Sequence, residues 1–579
     1  MLNDKATPGV HPWTWLLILA FVVAMFFPGL GLAPFFDRDE GEYATVAQNM
    51  IERRDYVIPY VNGRQYYEKP ALFFWLMAGS FKAFGQNEAA GRLPSAVSGL
   101  ALVMLLGWFG RRNADDLFGI LTVILSSTGL LMAGLARTAL LDMLLTLLTT
   151  AALILFYEGY RAPPGHGRWQ FLAAWAAMGL AFLTKGPVGA VVPLTAVFFF
   201  TLFNRDLVGA IRRARFPAGL AIFFLTAGPW YALAFWREGS RFWEGFFISQ
   251  NVTRFSEALL GHGAPVWFYL PVLAVMVWPW FFFALPVWWR GLIRNPLPER
   301  KTGQRASLDF FAGVWLLTSL IIFSLAATKQ PNYILPAVPA VVLLSAGWWR
   351  DRLTAGRESA RRPWWTMGLT ALFGLALAGF CLALTWLAPL ALEAARGRIN
   401  LDSFEYAFQS HAPELGSGPT IIGVLILAGL AAALILGLGR RYKPALAALS
   451  LSAIIFSGGL IHLLAPAMLE YLQGPARRLA FTLRQNLEPD DRVAAFGLYK
   501  PSLWFYTGRQ IERLRTNETD KLHSRLAEKQ RVFIFSRLTL LPVLSAQERF
   551  RPLLAEGGYL LGDNRGQGAR SRKKGAGVK

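Results

Sequence analysis

Apolar runs of roughly 17–25 residues recur along this chain, the length at which a helix crosses the hydrocarbon of a bilayer. About thirteen stand out by hydropathy, near 13–34, 92–110, 116–135, 140–157, 170–184, 187–203, 217–236, 266–288, 307–327, 333–348, 365–388, 420–438 and 445–466. The first does not read as a cleaved signal peptide: the run is too long, its lead is weakly basic, and Pro28 and Pro34 stand where small cleavage-site residues would be. Two stretches between 35 and 91 have another character. Residues 40–53 are amphipathic and 71–84 are apolar but too short to span, so both predict helices lying in the interface plane. From about 469 the pattern changes to that of a soluble unit. Residues 492–497 and 531–535 read as strands, and 476–485 and 520–528 as helices, a small α/β domain over 469–564. Residues 565–579 are Gly-rich and basic and read as disordered.

The polar residues between the runs orient them. With the first residue on the cytoplasmic side, alternate short loops collect Arg111 and Arg112; Arg212, Arg213 and Arg215; residues 290–305; residues 350–362; and Arg440, Arg441 and Lys443. The opposite loops are balanced or nearly uncharged, which is the positive-inside pattern. The reading is therefore a multi-pass α-helical membrane protein, with residues 1–468 as its membrane domain and the α/β domain outside. Composition agrees: 54% of the 579 residues are hydrophobic and 16% charged, more apolar sequence than a soluble core could bury. The net charge of +22 then reports orientation and needs no nucleic-acid partner. The single cysteine, Cys381, excludes a disulfide framework, and the 21 tryptophans suit interfacial belts.

Candidate chemistry gathers on the external face. The first external loop opens Asp37-Arg38-Asp39-Glu40-Gly41-Glu42-Tyr43, where carboxylates either cap a helix or work. Tyr66-Tyr67-Glu68-Lys69-Pro70 precedes the second interfacial helix, and a lysine at headgroup level either snorkels or anchors a phosphate. Arg137 and Asp142 lie between two spans on that face, as do Lys185, Arg254, His262, Lys329 and Tyr333. A mixed-charge site at the outer lipid interface suits a substrate both anionic and lipid-anchored: cations hold a phosphate while a carboxylate acts as base or orients a nucleophile. The Tyr499-Lys500-Pro501-Ser502-Leu503 segment reads as a plain turn, with a binding loop as the alternative.

Asp39-Glu40-Gly41-Glu42-Tyr43-Ala44, Tyr66-Tyr67-Glu68-Lys69-Pro70, Arg92-Leu93-Pro94, Ala136-Arg137 followed by Asp142-Met143, and residues 179–187 (GLAFLTKGP) occur in an order that resembles the bacterial GT-C glycosyltransferases of the ArnT type, related to protein O-mannosyltransferases. The resemblance implies a GT-C fold of about thirteen spans. It also implies transfer of a sugar from undecaprenyl phosphate on the periplasmic face of the bacterial inner membrane. In that branch 4-amino-4-deoxy-L-arabinose goes to a lipid A phosphate, which confers polymyxin resistance. The implied catalytic residues are Asp39, Glu40 and Asp142. Tyr66, Lys69, Arg137, Lys185, Arg254, Lys329 and Tyr333 would bind the lipid phosphate. Glu68 matches a position associated with a divalent metal ion, with His262 as its candidate partner, though two ligands make an incomplete site. No nucleotide cofactor and no nucleic acid are expected. One position departs: ArnT-like sequences often carry arginine where this chain has Glu42. Other readings are transfer of another sugar to protein Ser/Thr or an envelope glycan, and a transporter or flippase of polyprenyl-linked sugar. Against the transporter, the polar groups sit at one surface and no repeat is evident.

Overall fold

The structure, a computed structural model, describes residues 11–163, 165–253, 263–294, 304–354, 364–396 and 413–565. Each of the apolar runs contains helix, the first of them only as far as Phe26. Among the described residues eight helices are long and apolar enough to cross a membrane, and shorter apolar helices accompany them. In chain order the first nine are α1 (Pro12–Phe26), α2 (Asp39–Arg53), α3 (Leu72–Phe84), α4 (Glu88–Asn113), α5 (Asp116–Thr128), α6 (Leu130–Leu135), α7 (Asp142–Arg161), α8 (Arg168–Lys185) and α9 (Val188–Phe203). The two stretches expected as helices between 35 and 91 are helices, α2 and α3.

Local chemistry sets the helix ends. The Asn87 side chain accepts the Ala90 N–H at 2.9 Å and opens α4, and Asp115 accepts the Phe118 N–H at 2.9 Å and opens α5. Two expected runs are broken. The 116–135 run divides at Gly129 into α5 and α6. The 266–288 run divides into Tyr269–Met276 and Phe281–Trp289, on either side of Pro279. The bundle core is apolar and aromatic, with Trp278, Trp280, Trp315 and Trp348 fully buried.

At one end of the bundle the basic loops meet carboxylates. Arg111 pairs with Asp116 at 2.5 Å, Arg112 with Glu158 at 2.8 Å and Arg350 with Asp115 at 2.6 Å. The polar site described below lies at the other end.

The C-terminal unit is a five-stranded mixed sheet. Numbering all strands in chain order, a short hairpin in the first external loop supplies β1 (Tyr60–Val61) and β2 (Arg64–Gln65). The sheet contains β3 (Arg492–Phe496), β4 (Ile511–Leu514), β5 (Val532–Arg537), β6 (Arg551–Glu556) and β7 (Tyr559–Asp563) in the order β4-β3-β5-β7-β6. Strand β3 runs parallel to β4 and β5, while β7 is antiparallel to β5 and β6. Side chains alternate between faces. Ala494, Phe496 and Ile534 pack beneath Leu522 and Leu544. Val493, Ala495, Phe533 and Phe535 join a second core with Tyr43, Val46, Phe73 and Phe74 of α2 and α3.

The sheet and the first external loop therefore share one apolar interior. The domain boundary expected at 468/469 falls inside a continuous helix, Ala465–Asn486, which runs on from Tyr442–Gly459 through one π turn, Leu460–Leu464. The loop hairpin also joins the sheet edge. Asn62 donates from Nδ2 to the Ile511 carbonyl at 2.9 Å and accepts the Ile511 N–H at 2.8 Å. Asn62 and Gly63, both at positive φ, make the tight turn that aims this side chain.

Candidate active site

Helix α2 starts at Asp39 with three acidic residues in its first turn, Asp39, Glu40 and Glu42, and a helix rotates by about 100° per residue. Neighbouring carboxylates consequently take different partners. Glu40 is buried, and both its oxygens are occupied. Its Oε1 accepts Arg92 Nε at 2.9 Å and the Ala139 N–H at 2.6 Å, while Oε2 accepts Arg92 Nη2 at 2.8 Å and the Phe36 N–H at 2.7 Å. Arg92 spends its remaining donors on the carbonyls of Leu30, Ala33 and Pro34, each at 2.8 Å. This pair staples the end of the first external loop to α4 and to the segment before α7. The expectation of a catalytic Glu40 is corrected accordingly: a carboxylate with four bonds to an arginine and two amides is a fastening.

Asp37 is fastened too, by the C-terminal unit. Its carboxylate accepts the Ser502 N–H at 2.7 Å and the Ser502 hydroxyl at 2.6 Å, and it pairs with Lys500 Nζ at 3.1 Å, both side chains being fully buried. Lys500 also donates to Gln473 Oε1. The 499–503 segment, expected to be a plain turn or else a binding loop, is thus the clasp that docks the sheet on α2. Gly41 permits the approach, because a Cβ there would lie 2.6 Å from Ser502 N.

Between these fastenings lies a cavity of about 1430 Å³. Asp39, Glu42 and Glu68 line one side of it, and Arg38, Arg137 and Lys329 also line it, with Tyr499 and Arg513 contributed by the sheet unit. Arg137 Nη1 donates to the Phe26 carbonyl at 3.0 Å, and Lys329 Nζ to the Ala326 carbonyl at 2.6 Å. Among the described residues neither has a carboxylate at ion-pair distance, so two cations face one space uncompensated. Burial and the nearby Arg92 both lower the Arg137 pKa.

Behind the wall, Asp142 is buried at the start of α7 and accepts Lys185 Nζ at 2.5 Å and Asn332 Nδ2 at 3.0 Å. Lys185 sits 4.3 Å from the Tyr333 ring centroid. Lys69 Nζ lies 3.9 Å from Glu68 Oε2 and donates to the Glu68 carbonyl at 3.2 Å. Tyr66 is buried edge-on to Phe74 at 5.9 Å, and burial, then Glu68 and Glu42, hold its phenol protonated.

Of the residues expected from sequence, Asp39, Glu40, Glu68, Arg137 and Lys329 line the cavity. Asp142, Lys185 and Tyr333 form a linked group joined to it through Asn332, while Tyr66 and Lys69 stand beside Glu68. Arg254 and His262 lie outside the described residues. Tyr499 lies in the segment whose alternative reading was a binding loop, whereas Arg513 carried no sequence signal, because nothing in a soluble-type segment announces that it faces a cavity of the bundle. Arg92 stood in a quoted motif without a role. Among the described residues no three His, Cys, Asp or Glu side chains form a group able to hold a metal ion. Glu68 has the Lys69 ammonium as its neighbour at 3.9 Å, and His262, its expected partner for a metal, lies outside the described residues.

A sequence model of the dolichyl-phosphate-mannose-protein mannosyltransferase family matches residues 68–232. The undecaprenyl phosphate-alpha-4-amino-4-deoxy-L-arabinose arabinosyl transferase of Aeromonas salmonicida (strain A449) is 31% identical over 386 residues, 66% of this chain and 66% of that protein. The protein of the same name from Yersinia pestis (strain Pestoides F) is 32% identical over 345 residues, 57% of this chain and 59% of that protein. The chain thus spans 66% and 59% of the length of these two relatives. The crystal structure of ArnT from Cupriavidus metallidurans bound to undecaprenyl phosphate superposes with a TM-score of 0.77 at 20% identity, covering 96% of this chain and 98% of that one. Its apo form gives 0.75 at 21% identity, covering 95% and 98%. At that identity the likeness is one of fold.

Proposed function

Since this chain is an ArnT-like GT-C protein, a multi-pass helical membrane protein in sequence and fold, we propose that it is a glycosyltransferase that moves a sugar from an undecaprenyl-phosphate carrier to an acceptor on the periplasmic face of a bacterial inner membrane. The sugar is 4-amino-4-deoxy-L-arabinose and the acceptor a lipid A phosphate. The observation that carries this reading is the cavity in which the uncompensated cations Arg137 and Lys329 face Asp39.

The chemistry is a single displacement at the anomeric carbon. The bond from that carbon to the carrier phosphate breaks, and a bond to the acceptor oxygen forms. The leaving group is a phosphate, so the reaction needs charge stabilisation and positioning more than a strong acid. Arg137 and Lys329 take up the departing charge, with Lys69 close by beside Glu68. Asp39 orients an acceptor phosphate, which is already an anionic nucleophile, or removes the proton of a hydroxyl acceptor. Asp142 holds Lys185 and Asn332 and shapes the wall behind. The match to the mannosyltransferase family supports a second reading, transfer to a protein or glycan hydroxyl.

Mass spectrometry of lipid A and of carrier lipids, from cells with and without the gene, separates the two. Loss of the aminoarabinose mass from lipid A together with accumulation of the charged carrier is the expected result. Unchanged lipid A moves the acceptor to a hydroxyl. In the purified protein, Asp39→Asn and Lys329→Ala should each lower transfer at least a hundredfold while the protein still inserts. Full activity in either variant would defeat the assignment.

A further inference from the structure

Glu42 is the one carboxylate of the cavity wall whose surroundings leave it unused by the fold. It lies three residues after Asp39, on the same face of α2, and is only 7% exposed. Even so it lines the cavity. Among the described residues its carboxylate makes no hydrogen bond and no ion pair, and its backbone N–H closes the first turn on the Arg38 carbonyl at 3.2 Å. Glu40, two residues earlier, is as deeply buried but holds four bonds. The Glu42 oxygens keep access to the cavity, so whatever enters there meets them directly.

The electrostatics around Glu42 say what kind of group that is. Asp39 and Glu68 line the same wall, so the pocket at this point is acidic. Burial, then Glu68 and Asp39, raise the Glu42 pKa to about 8, against the opposing pull of Lys69 and Arg38. Tyr43, Tyr66 and Tyr499 also face this charge, and burial with the same carboxylates keeps each phenol protonated. At neutral pH Glu42 therefore carries a proton most of the time. A cationic group entering the wall displaces that proton and satisfies the carboxylate. A phosphate would meet three acidic side chains here and is better held by Arg137 and Lys329. A neutral hydroxyl can donate a hydrogen bond to the carboxylate but brings no charge to offset Glu42, Asp39 and Glu68 together.

We propose that Glu42 is a specificity-determining residue that binds a protonated amine on the transferred sugar. The inference rests on the glycosyl-transfer reading of the same cavity and adds to it which side chain distinguishes an amino sugar from its hydroxyl counterpart. Binding is written Glu42–COOH plus R–NH3+ giving the Glu42 carboxylate, the bound ammonium and one proton released to solvent.

The test uses the full chain in lipid nanodiscs, with polyprenyl-phosphate carriers bearing either 4-amino-4-deoxyarabinose or arabinose. Binding and transfer are both measured for the wild type, Glu42→Gln and Glu42→Asp. Expected is a preference for the amino carrier of about tenfold or more in the wild type, carried largely by Glu42→Asp and reduced to below about twofold in Glu42→Gln. Calorimetry in buffers of different ionisation enthalpy should show proton release on binding the amino carrier, absent in Glu42→Gln. An unchanged preference in Glu42→Gln, or equal affinity of the wild type for both carriers, overturns the assignment. Should neither sugar be transferred while the binding preference still depends on Glu42, the transferase reading fails and the role of Glu42 stands.

Discussion

Three acidic residues in four positions of α2 have three different fates, and the rotation of the helix decides among them. Asp39 faces the cavity, Glu40 turns back onto Arg92, and Glu42 returns to the cavity without a partner. That Asp39, Glu68, Arg137 and Lys329 gather in one place was legible in the sequence, because ionisable residues at the ends of spans are expensive. Which of two adjacent carboxylates turns back onto Arg92 was not, since it depends on a guanidinium 52 residues away. Glu42 also makes a stability prediction. Its pKa is near the ordinary carboxylate value in the unfolded chain and about 8 when folded. The folded state therefore binds more protons between those values, and Glu42's contribution to stability falls as pH rises through that window and levels off above it. Glu42→Gln should raise the melting temperature at pH 8.5 relative to wild type and do so much less at pH 5. An equal shift at both values would mean that Glu42 titrates like an exposed carboxylate.

At the scale of elements, the docking of the sheet on α2 is the arrangement most open to test. Removing one partner of a buried ion pair leaves the other unpaired, at about 3–5 kcal/mol. Lys500→Met should accordingly destabilise the protein strongly, and Asp37→Asn in the same chain should restore much of the loss; thermal unfolding in detergent measures both. Gly41→Ala should separate α2 from the Ser502–Thr507 helix and lower activity without touching a cavity-lining side chain, read as loss of transfer alongside faster proteolysis of the sheet unit. Helices were the legible elements, because an apolar run of spanning length has few alternatives. Strands β3 and β5 were legible as buried apolar runs. Strands β4, β6 and β7 were not: β4 has four residues, while β6 is a largely exposed edge strand carrying Pro552. The clasp at Lys500 was hidden for another reason. Its partner lies in the first external loop, and no local pattern connects them.

For the molecule as a whole, the basic loops and the cavity occupy opposite ends of one bundle, which is what the charge pattern of the sequence implied. The cavity end should face the periplasm. Cys381 is the sole cysteine and is buried, so a Cys381→Ala background accepts single reporters. With Ser524→Cys, on the sheet unit, a membrane-impermeant maleimide should label intact spheroplasts, whereas Arg212→Cys should react only after lysis. The reverse result would invert the topology. The clasp between Asp37 and Ser502 closes a separation of 465 residues. A ribosome delivers the first external loop early and residues 499–513 late. Until those residues arrive, Asp37 has no lysine, Gly41 has no backbone against it, and the cavity lacks the wall that Tyr499 and Arg513 supply. The nascent protein therefore passes most of its synthesis as an inserted bundle with an unfinished pocket. A chain stalled or cut before residue 499 should be a membrane-resident, inert species, and catalytic competence begins as one of the last events of assembly.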